Sequence, residues 1–164
     1  MAVVYLSLGS NVGDRDAHLR AAIAGLGGVG VVKKISSFYE TEPMEFQAQD
    51  WFINCVVEFE TDHSPHELMA NILTIEKKMG RHRNQPKGPR NIDIDVVFYQ
   101  DLIVEERDLK IPHPAMHRRR FVLAPLAEIA PDAIHPVFMR SASDMLAALG
   151  DDAGEVKRLP ASVP

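Results

Sequence analysis

The chain has 164 residues, which suits one domain with a full hydrophobic core. Its hydrophobic fraction of 46% and charged fraction of 25% are those of an ordinary globular protein, and its net charge of −5 argues against a nucleic-acid binder. No apolar run approaches the ~20 residues of a membrane helix, so we expect neither nucleic acid nor membrane as a partner. We predict a single domain over residues 1–164, with a core in residues 1–150 and a loosely ordered polar tail at residues 151–164.

Along the chain, segments in which apolar residues alternate with period two are followed by segments with the 3.6-residue spacing of a helix. Period-two alternation and helical spacing predict strands at residues 3–8, 29–39, 52–60 and 92–99, and helices from residue 14 or 16 to 26 and from 64 to 79. The second helix has three agreeing start signals, because Ser64 is a good N-cap, Pro65 suits the first turn and Glu67 completes a capping box. Its predicted buried stripe includes Leu68 and Leu73.

The element order β-α-β-β-α-β is ferredoxin-like, which predicts an α/β (α+β) fold with an antiparallel sheet and two helices on one face. The remaining chain adds a short extended segment at residues 102–104, a proline-containing segment at 111–114 and helices around 119–129 and 143–149. These C-terminal helices and strand are too few to close a second core. We expect them to cover the open face of the sheet or to surround the site.

The single cysteine, Cys55, lies in an apolar run and is predicted to be a small core residue rather than a nucleophile. One cysteine permits no disulfide within the chain, which fits a reducing compartment. The N-terminus has neither a basic region nor a cleavage site. The expected location is therefore the cytoplasm, and the expected state is a monomer.

Asp93 and Asp95 form the most informative motif, since they alternate with the apolar residues of a strand. A strand rises about 3.3 Å per residue, so both carboxylates should lie on one face, roughly 6.6 Å apart at their backbones. Two such charges repel by about 2.5 kcal/mol at an effective dielectric of ~20. Either that face is simply solvent-exposed, or a cation such as Mg²⁺ lies between the carboxylates.

Residues 80–91 precede this strand and carry Arg81, Arg83, Lys87 and Arg90 with almost no apolar residue. Guanidinium groups are good phosphate ligands. A long basic connection without its own core contacts is typical of a mobile lid, although a solvated loop of no function has the same composition.

A second polar position interrupts an apolar strand, because Asn54 follows Phe52 in the predicted third strand. A buried amide needs hydrogen-bond partners. Asn54 could bond neighbouring backbone, or it could recognise the edge of a flat heterocycle on which Phe52 stacks.

Several of these segments occur together in one known family. They are residues 6–11 and 36–41, Gly80-Arg81, Gly88-Pro89-Arg90, Asp93-x-Asp95, residues 111–114 with Arg119 and Phe121, and residues 124–131. In combination, over residues 3–134, they resemble the 6-hydroxymethyl-7,8-dihydropterin pyrophosphokinases of folate biosynthesis. That family has a ferredoxin-like α/β core.

The resemblance implies transfer of the diphosphate of ATP to the hydroxymethyl group of the reduced pterin, leaving AMP. It implies that Asp93 and Asp95 hold two Mg²⁺ ions and that Arg81 and Arg90 act on the phosphates. It further implies ATP contacts from Glu76, Arg83, Val96, Lys110, His113 and Arg119, and pterin contacts from Thr41, Pro43, Met44, Phe52, Asn54 and Phe121.

Three positions depart from the common family pattern. Pro86-Lys87 stands where many members have Arg-Trp, Phe52 replaces a frequent tyrosine, and Asp108 stands where some members have arginine. Two alternatives to the pyrophosphokinase remain at this stage. One is another Mg²⁺-dependent phosphoryl or nucleotidyl transferase, and the other is a ligand-binding module of ferredoxin-like fold without chemistry.

Overall fold

The computed structural model describes residues 1–41, 50–80 and 91–160. The strands in these ranges are β1 Ala2–Ser10, β2 Val31–Ile35, β3 Tyr39–Thr41, β4 Phe52–Thr61, β5 Asp93–Tyr99, β6 Val104–Glu105, β7 Lys110–Ile111 and β8 Val156–Arg158. The α-helices are α1 Arg15–Leu26, α2 Pro65–Lys78, α3 Arg120–Ile129 and α4 Ala142–Ala147, and short 3-10 turns occupy Met116–Arg118 and Asp151–Ala153.

The main sheet runs in the order β5-β1-β4-β3-β8, and β2 also pairs with β4. All of these pairs are antiparallel, which confirms the predicted mixed α/β fold with an antiparallel sheet. Strand β1 lies between β4 and β5 and is in register with both, so it connects the two strands that carry the predicted site residues.

Both faces of the sheet are covered by helices. On one face, Leu6, Phe59 and Ile94 pack with apolar residues of α1 and α2, including Leu19 and Leu68. On the other face, the core residues are Val56, Val97, Phe98, Val122, Leu123, Leu126 and Met145, contributed by β4, β5, α3 and α4. The C-terminal helices therefore cover the sheet face that the first two helices leave open. No described helix combines the length and apolar character needed to cross a bilayer.

Helix α2 begins as its sequence predicts. The Ser64 side chain accepts a hydrogen bond from the Glu67 N–H, the Glu67 carboxylate accepts from the Ser64 N–H, and Pro65 is the first helical residue. The predicted buried stripe is correct at Leu68 but wrong at Leu73, which is 43% exposed. A polar residue, Glu76, is buried instead, because its carboxylate reaches the backbone of β5.

The strand predicted over residues 29–39 is in fact two strands, β2 and β3. Ile35 pairs with Val57, and Tyr39 pairs with Asn54. The chain thus advances four residues from β2 to β3 while the partner strand β4 advances only three. Between them, the Ser36 hydroxyl accepts the Val56 N–H at 2.9 Å. A side chain thus takes the place of a backbone carbonyl in the ladder, and the extra residue divides the strand.

The tail at residues 151–164 contains more structure than predicted. Its strand β8 pairs antiparallel with β3, with Arg158 opposite Tyr39, and the Leu159 N–H donates to the Phe38 carbonyl at 2.8 Å. A three-residue strand has too few residues to show a hydrophobic period, which is why the sequence pattern missed it.

Candidate active site

Asp93 and Asp95 lie on the same face of β5, both partly exposed, while the intervening Ile94 is buried in the core. Strand register places Asp93 opposite Gly9 and Asp95 opposite Ser7 of β1. The two carboxylates are therefore neither buried against hydrocarbon nor on opposite sides of the sheet. Both carboxylates are therefore accessible from the same side of β5.

Val96 occupies the opposite side of β5. Its side chain is 4% exposed and packs in the core with the apolar residues of α1 and α2. The Val96 side chain therefore points away from the face that carries Asp93, and it is not placed to make the implied ATP contact from that face. The alternation of the strand places it with Ile94 instead.

Gly9 lies between the two halves of the site. It pairs with Asn54 of β4 on one side and with Asp93 of β5 on the other, so the three residues form one row across three strands. Directly paired residues point to the same face of a sheet, and each inter-strand step is about 4.8 Å. Asn54 and Asp93 are thus roughly 9.6 Å apart at their backbones.

Gly9 was not singled out from the sequence, since the first predicted strand ends at residue 8, whereas β1 continues to Ser10. A Cβ at Gly9 would lie 2.3 Å from Asn54 Oδ1, far inside any real contact. The absent side chain is what permits the amide of Asn54 to lie over β1. A glycine just before the end of a strand was the available signal, since it marks a close approach of another group.

Asn54 and Thr41 form a buried polar pair. The Asn54 amide donates to the Thr41 hydroxyl at 2.6 Å, and both residues are buried. Thr41 in turn pairs with Phe52 in the β3–β4 ladder. The Asn54 amide thus bonds a side chain rather than neighbouring backbone. Three of the predicted pterin-contacting residues, Thr41, Phe52 and Asn54, therefore lie together at one end of β3 and β4.

His113 approaches the carboxylates from the segment after β7. Its backbone N–H donates to the Val97 carbonyl at 3.2 Å, which anchors it beside β5. The Ala115 N–H donates to Nδ1 at 3.2 Å, so the neutral ring carries its proton on Nε2, which lies 4.0 Å from Asp95 Oδ2. Burial, together with the charge of Arg119, lowers the pKa of His113 to about 4, although Asp93 acts in the opposite direction. The ring is therefore a neutral hydrogen-bond donor at physiological pH.

Arg119 and Phe121 flank the start of α3. The Arg119 guanidinium lies 5.4 Å from the centre of the Phe121 ring, a cation–π distance. Arg119 is also near enough to His113 to influence its pKa. Lys110 is exposed on β7. Arg119 thus lies on the side of the site where His113 approaches Asp95.

Glu76 has a structural partner. It is 1% exposed, and its Oε2 accepts the Ile94 N–H at 2.8 Å. Strand β5 is at the edge of the main sheet, so this carboxylate supplies an acceptor that no further strand provides. Glu76 thereby anchors the strand segment that carries Asp93 and Asp95.

Five predicted site residues lie outside the described residues: Pro43, Met44, Arg81, Arg83 and Arg90. Pro86-Lys87 also lies there. Their implied contacts remain predictions.

Cys55 takes no part in the site. It is fully buried in the core beneath the helices, and burial raises the pKa of its thiol. The prediction of a structural cysteine is confirmed.

Comparison with known proteins agrees with this geometry. Residues 5–131 match the family model for 7,8-dihydro-6-hydroxymethylpterin-pyrophosphokinase. The 2-amino-4-hydroxy-6-hydroxymethyldihydropteridine pyrophosphokinase of Aquifex aeolicus is 42% identical over 140 residues, which cover 85% of this chain and 88% of that protein. The enzyme of the same name from Bacillus subtilis is 43% identical over 129 residues, covering 77% of each chain.

The fold also matches a solved structure of a longer protein. The wild-type HPPK-DHPS of Plasmodium falciparum superposes with a TM-score of 0.72 at 16% sequence identity. The match covers 89% of this chain and 44% of that one. At this identity the likeness concerns the fold.

The chain belongs to the 7,8-dihydro-6-hydroxymethylpterin-pyrophosphokinase family. It is accordingly an ATP-dependent diphosphotransferase of folate biosynthesis, whose acceptor is hydroxymethyldihydropterin. The family resemblance stated from sequence is confirmed.

Proposed function

We propose that Asp93 and Asp95 hold two Mg²⁺ ions during this transfer. The observation that carries the proposal is their shared, partly exposed face on β5, in register with Gly9 and Ser7. Mg²⁺ prefers oxygen ligands and is commonly held by one or two carboxylates together with substrate phosphates. Bound there, the metal would neutralise charge on the triphosphate.

The nucleotide would lie on the side of the carboxylates where His113 and Arg119 meet. A neutral His113 can donate from Nε2 to a phosphate oxygen, and Arg119 supplies a fixed positive charge nearby. Lys110, exposed on β7, would add a further ATP contact. Arg81, Arg83 and Arg90 would complete the phosphate contacts. The family resemblance assigns Glu76 to the ATP site. Because Glu76 is buried against β5, we propose that it affects ATP binding by anchoring that strand.

The pterin would bind at the other end of the Gly9 row. Thr41 and Asn54 present a donor and acceptor set that suits the polar edge of a flat heterocycle. Phe52 and Phe121 would stack on the two faces of the ring, and Pro43 and Met44 would complete its pocket. With Asn54 and Asp93 roughly 9.6 Å apart at their backbones, the pterin would lie beside the proposed metal ions.

In this arrangement the chain contributes mainly orientation and charge. Phosphoryl-type transfer depends on clamping the phosphates in line with the attacking oxygen and on stabilising the developing charge. Asp95 and His113 define one side of the reacting region, and the Thr41–Asn54 pair fixes the acceptor on the other. The arrangement requires no side chain as nucleophile.

We further propose that the fold is ferredoxin-like, which the order β5-β1-β4 with β2 and β3 beside β4 supports. A cytoplasmic monomer without nucleic-acid or membrane partners remains our expectation from composition.

The test is product analysis with purified protein, ATP, Mg²⁺ and 6-hydroxymethyl-7,8-dihydropterin. We expect one AMP for each pterin diphosphate formed, and no product when Mg²⁺ is chelated. Release of ADP or of free pyrophosphate as the main product would contradict the proposal. Titration of Mg²⁺ in the presence of a non-hydrolysable ATP analogue would count the ions, and a stoichiometry of one would overturn the two-ion assignment.

A further inference from the structure

Arg15 joins two chain segments at the pterin end of the site. Its Nη2 lies 3.2 Å from the Glu40 carboxylate, and its Nη1 donates to the Trp51 carbonyl at 2.7 Å. Glu40 immediately precedes Thr41 in β3, and Trp51 immediately precedes Phe52 in β4. One guanidinium therefore contacts β3 and the residue just before β4, each next to a residue proposed to hold the pterin.

A second contact strengthens the same connection. The Asn11 amide donates to the Asp50 carbonyl at 3.2 Å, from the turn that links β1 to α1. Asn11 is itself buried. Together with Gly13, these residues line a cavity of about 500 Å³. The turn after β1 and the first residue of α1 thus hold the segment entering β4 at two successive carbonyls, those of Asp50 and Trp51.

Helix stability does not account for Arg15. It is the first residue of α1, and a cation at a helix N-terminus opposes the positive end of the helix dipole. The helix already has an N-cap, since the Asp14 side chain accepts the Ala17 N–H. A guanidinium holds its donors in a fixed planar fork that can serve two acceptors in set directions, whereas an ammonium is a compact point charge with rotatable donors. The two contacts of Arg15 are of that kind.

We propose that Arg15 is a positioning residue for the pterin: it holds the ends of β3 and β4 together so that Thr41, Asn54 and Phe52 keep their relative places. This inference rests on the proposed assignment of those three residues to the pterin. Arg15 and Glu40 would act through the strands that they join.

The experiment compares Arg15→Met with Arg20→Met. Arg20 is on the same helix, pairs with Asp16 at 2.6 Å and lies 5.3 Å from the centre of the Phe38 ring, just before β3. It therefore controls for the loss of a cation near β3 that, among the described contacts, makes no hydrogen bond to β3 or to the residues entering β4. We expect Arg15→Met to raise the KM for the pterin roughly tenfold, the scale of one lost charge-assisted hydrogen bond, and to leave the KM for ATP unchanged. Arg20→Met should leave both values unchanged. Equal increases in both KM values, or no change in either, would overturn the inference.

Hydrogen exchange gives a readout that does not depend on catalysis. Amides of residues 39–41 and 50–52 should exchange faster in Arg15→Met than in Arg20→Met, and unaltered exchange would overturn the inference. Arg15→Lys keeps the charge but loses the fork, so we expect an intermediate pterin KM. A wild-type KM in Arg15→Lys would contradict the two-acceptor role. Failure of the wild-type protein to form AMP would instead refute the proposed function, while the exchange result would still test the connection itself.

Discussion

Gly9 and Asn54 face each other across β1 and β4 with no room for a methyl group between them. A Cβ on Gly9 would lie 2.3 Å from Asn54 Oδ1 and 3.6 Å from Phe52 Cδ1. On its other side Gly9 pairs with Asp93. The smallest residue of the sheet therefore lies between the proposed pterin and metal halves of the site, where it leaves room for the Asn54 amide.

Gly9→Ala tests this relationship. The added methyl group must displace the Asn54 side chain, which breaks its hydrogen bond to Thr41. We expect a loss of about 1–3 kcal/mol in the free energy of unfolding and a higher KM for the pterin. Urea denaturation and steady-state kinetics measure the two effects. The control is Gly28→Ala, where a Cβ would meet only the Gly25 carbonyl at 3.5 Å, an ordinary contact. Unchanged kinetics in Gly9→Ala would show that Asn54 does not depend on the space above β1.

Asp95→Asn should abolish turnover while leaving the fold intact. The side chain of Asp95 is 40% exposed, so its charge serves the site more than the core. We expect at least a hundredfold lower rate of AMP formation, because several kcal/mol of metal-mediated stabilisation are lost, and a change in unfolding free energy within about 0.5 kcal/mol. Asp101→Asn, at an exposed turn after β5, is the matched control and should retain full activity. A large fall in the melting temperature of Asp95→Asn would indicate a structural carboxylate instead.

Two substitutions of Glu76 test whether its buried carboxylate stabilises β5 as a hydrogen-bond acceptor. Glu76→Gln retains an oxygen for the Ile94 N–H, whereas Glu76→Ala leaves that donor buried and unsatisfied. We expect Glu76→Ala to cost about 1–3 kcal/mol more than Glu76→Gln and to lower turnover, since the start of β5 carries Asp93. Thermal melts and AMP formation report both. Lys77→Ala, at an exposed neighbouring position, should stay within about 0.5 kcal/mol of wild type. Equal stability of the two Glu76 variants would contradict the anchoring role.

Glu128 should make the stability of the β3–β8 region sensitive to acid. Its carboxylate accepts from the Ser37 N–H and hydroxyl and from the Tyr39 hydroxyl, and it pairs with Arg158 at 3.1 Å. Burial raises the pKa of Glu128, but these contacts outweigh burial and leave the pKa below its ordinary value of 4.5. The unfolded chain then binds the proton more readily, so the stabilisation is present above pH 4.5 and is lost as the pH falls through the folded-state pKa.

Glu128→Gln is the corresponding variant. We expect it to be less stable than wild type at pH 7 by about 1–3 kcal/mol, and the difference to shrink as the pH falls below 4.5. Urea denaturation at a series of pH values measures this convergence. Two parallel stability curves would show that the carboxylate charge has no part in holding β8 to the sheet.

Local features of this protein could be predicted from the sequence because their causes lie within a few residues. The capping box joins Ser64 to Glu67 within one helical turn, and the shared face of Asp93 and Asp95 follows from the alternation of a single strand. The combination of motifs was specific enough to identify the family. None of these inferences needed to know which strands are neighbours.

Tertiary structure decided the remainder. The Gly9 row depends on the register of three strands, the burial of Glu76 depends on where β5 lies against α2, and Arg15 meets Glu40 and Trp51 across 25 and 36 residues of chain. Such contacts form only when the whole sheet and its helices have packed, because the free energy that sets register comes from burying all of the strands together. The periodicity of the sequence predicts which face of a strand or helix a residue occupies. Only the packing of the whole fold determines which other residues that face contacts.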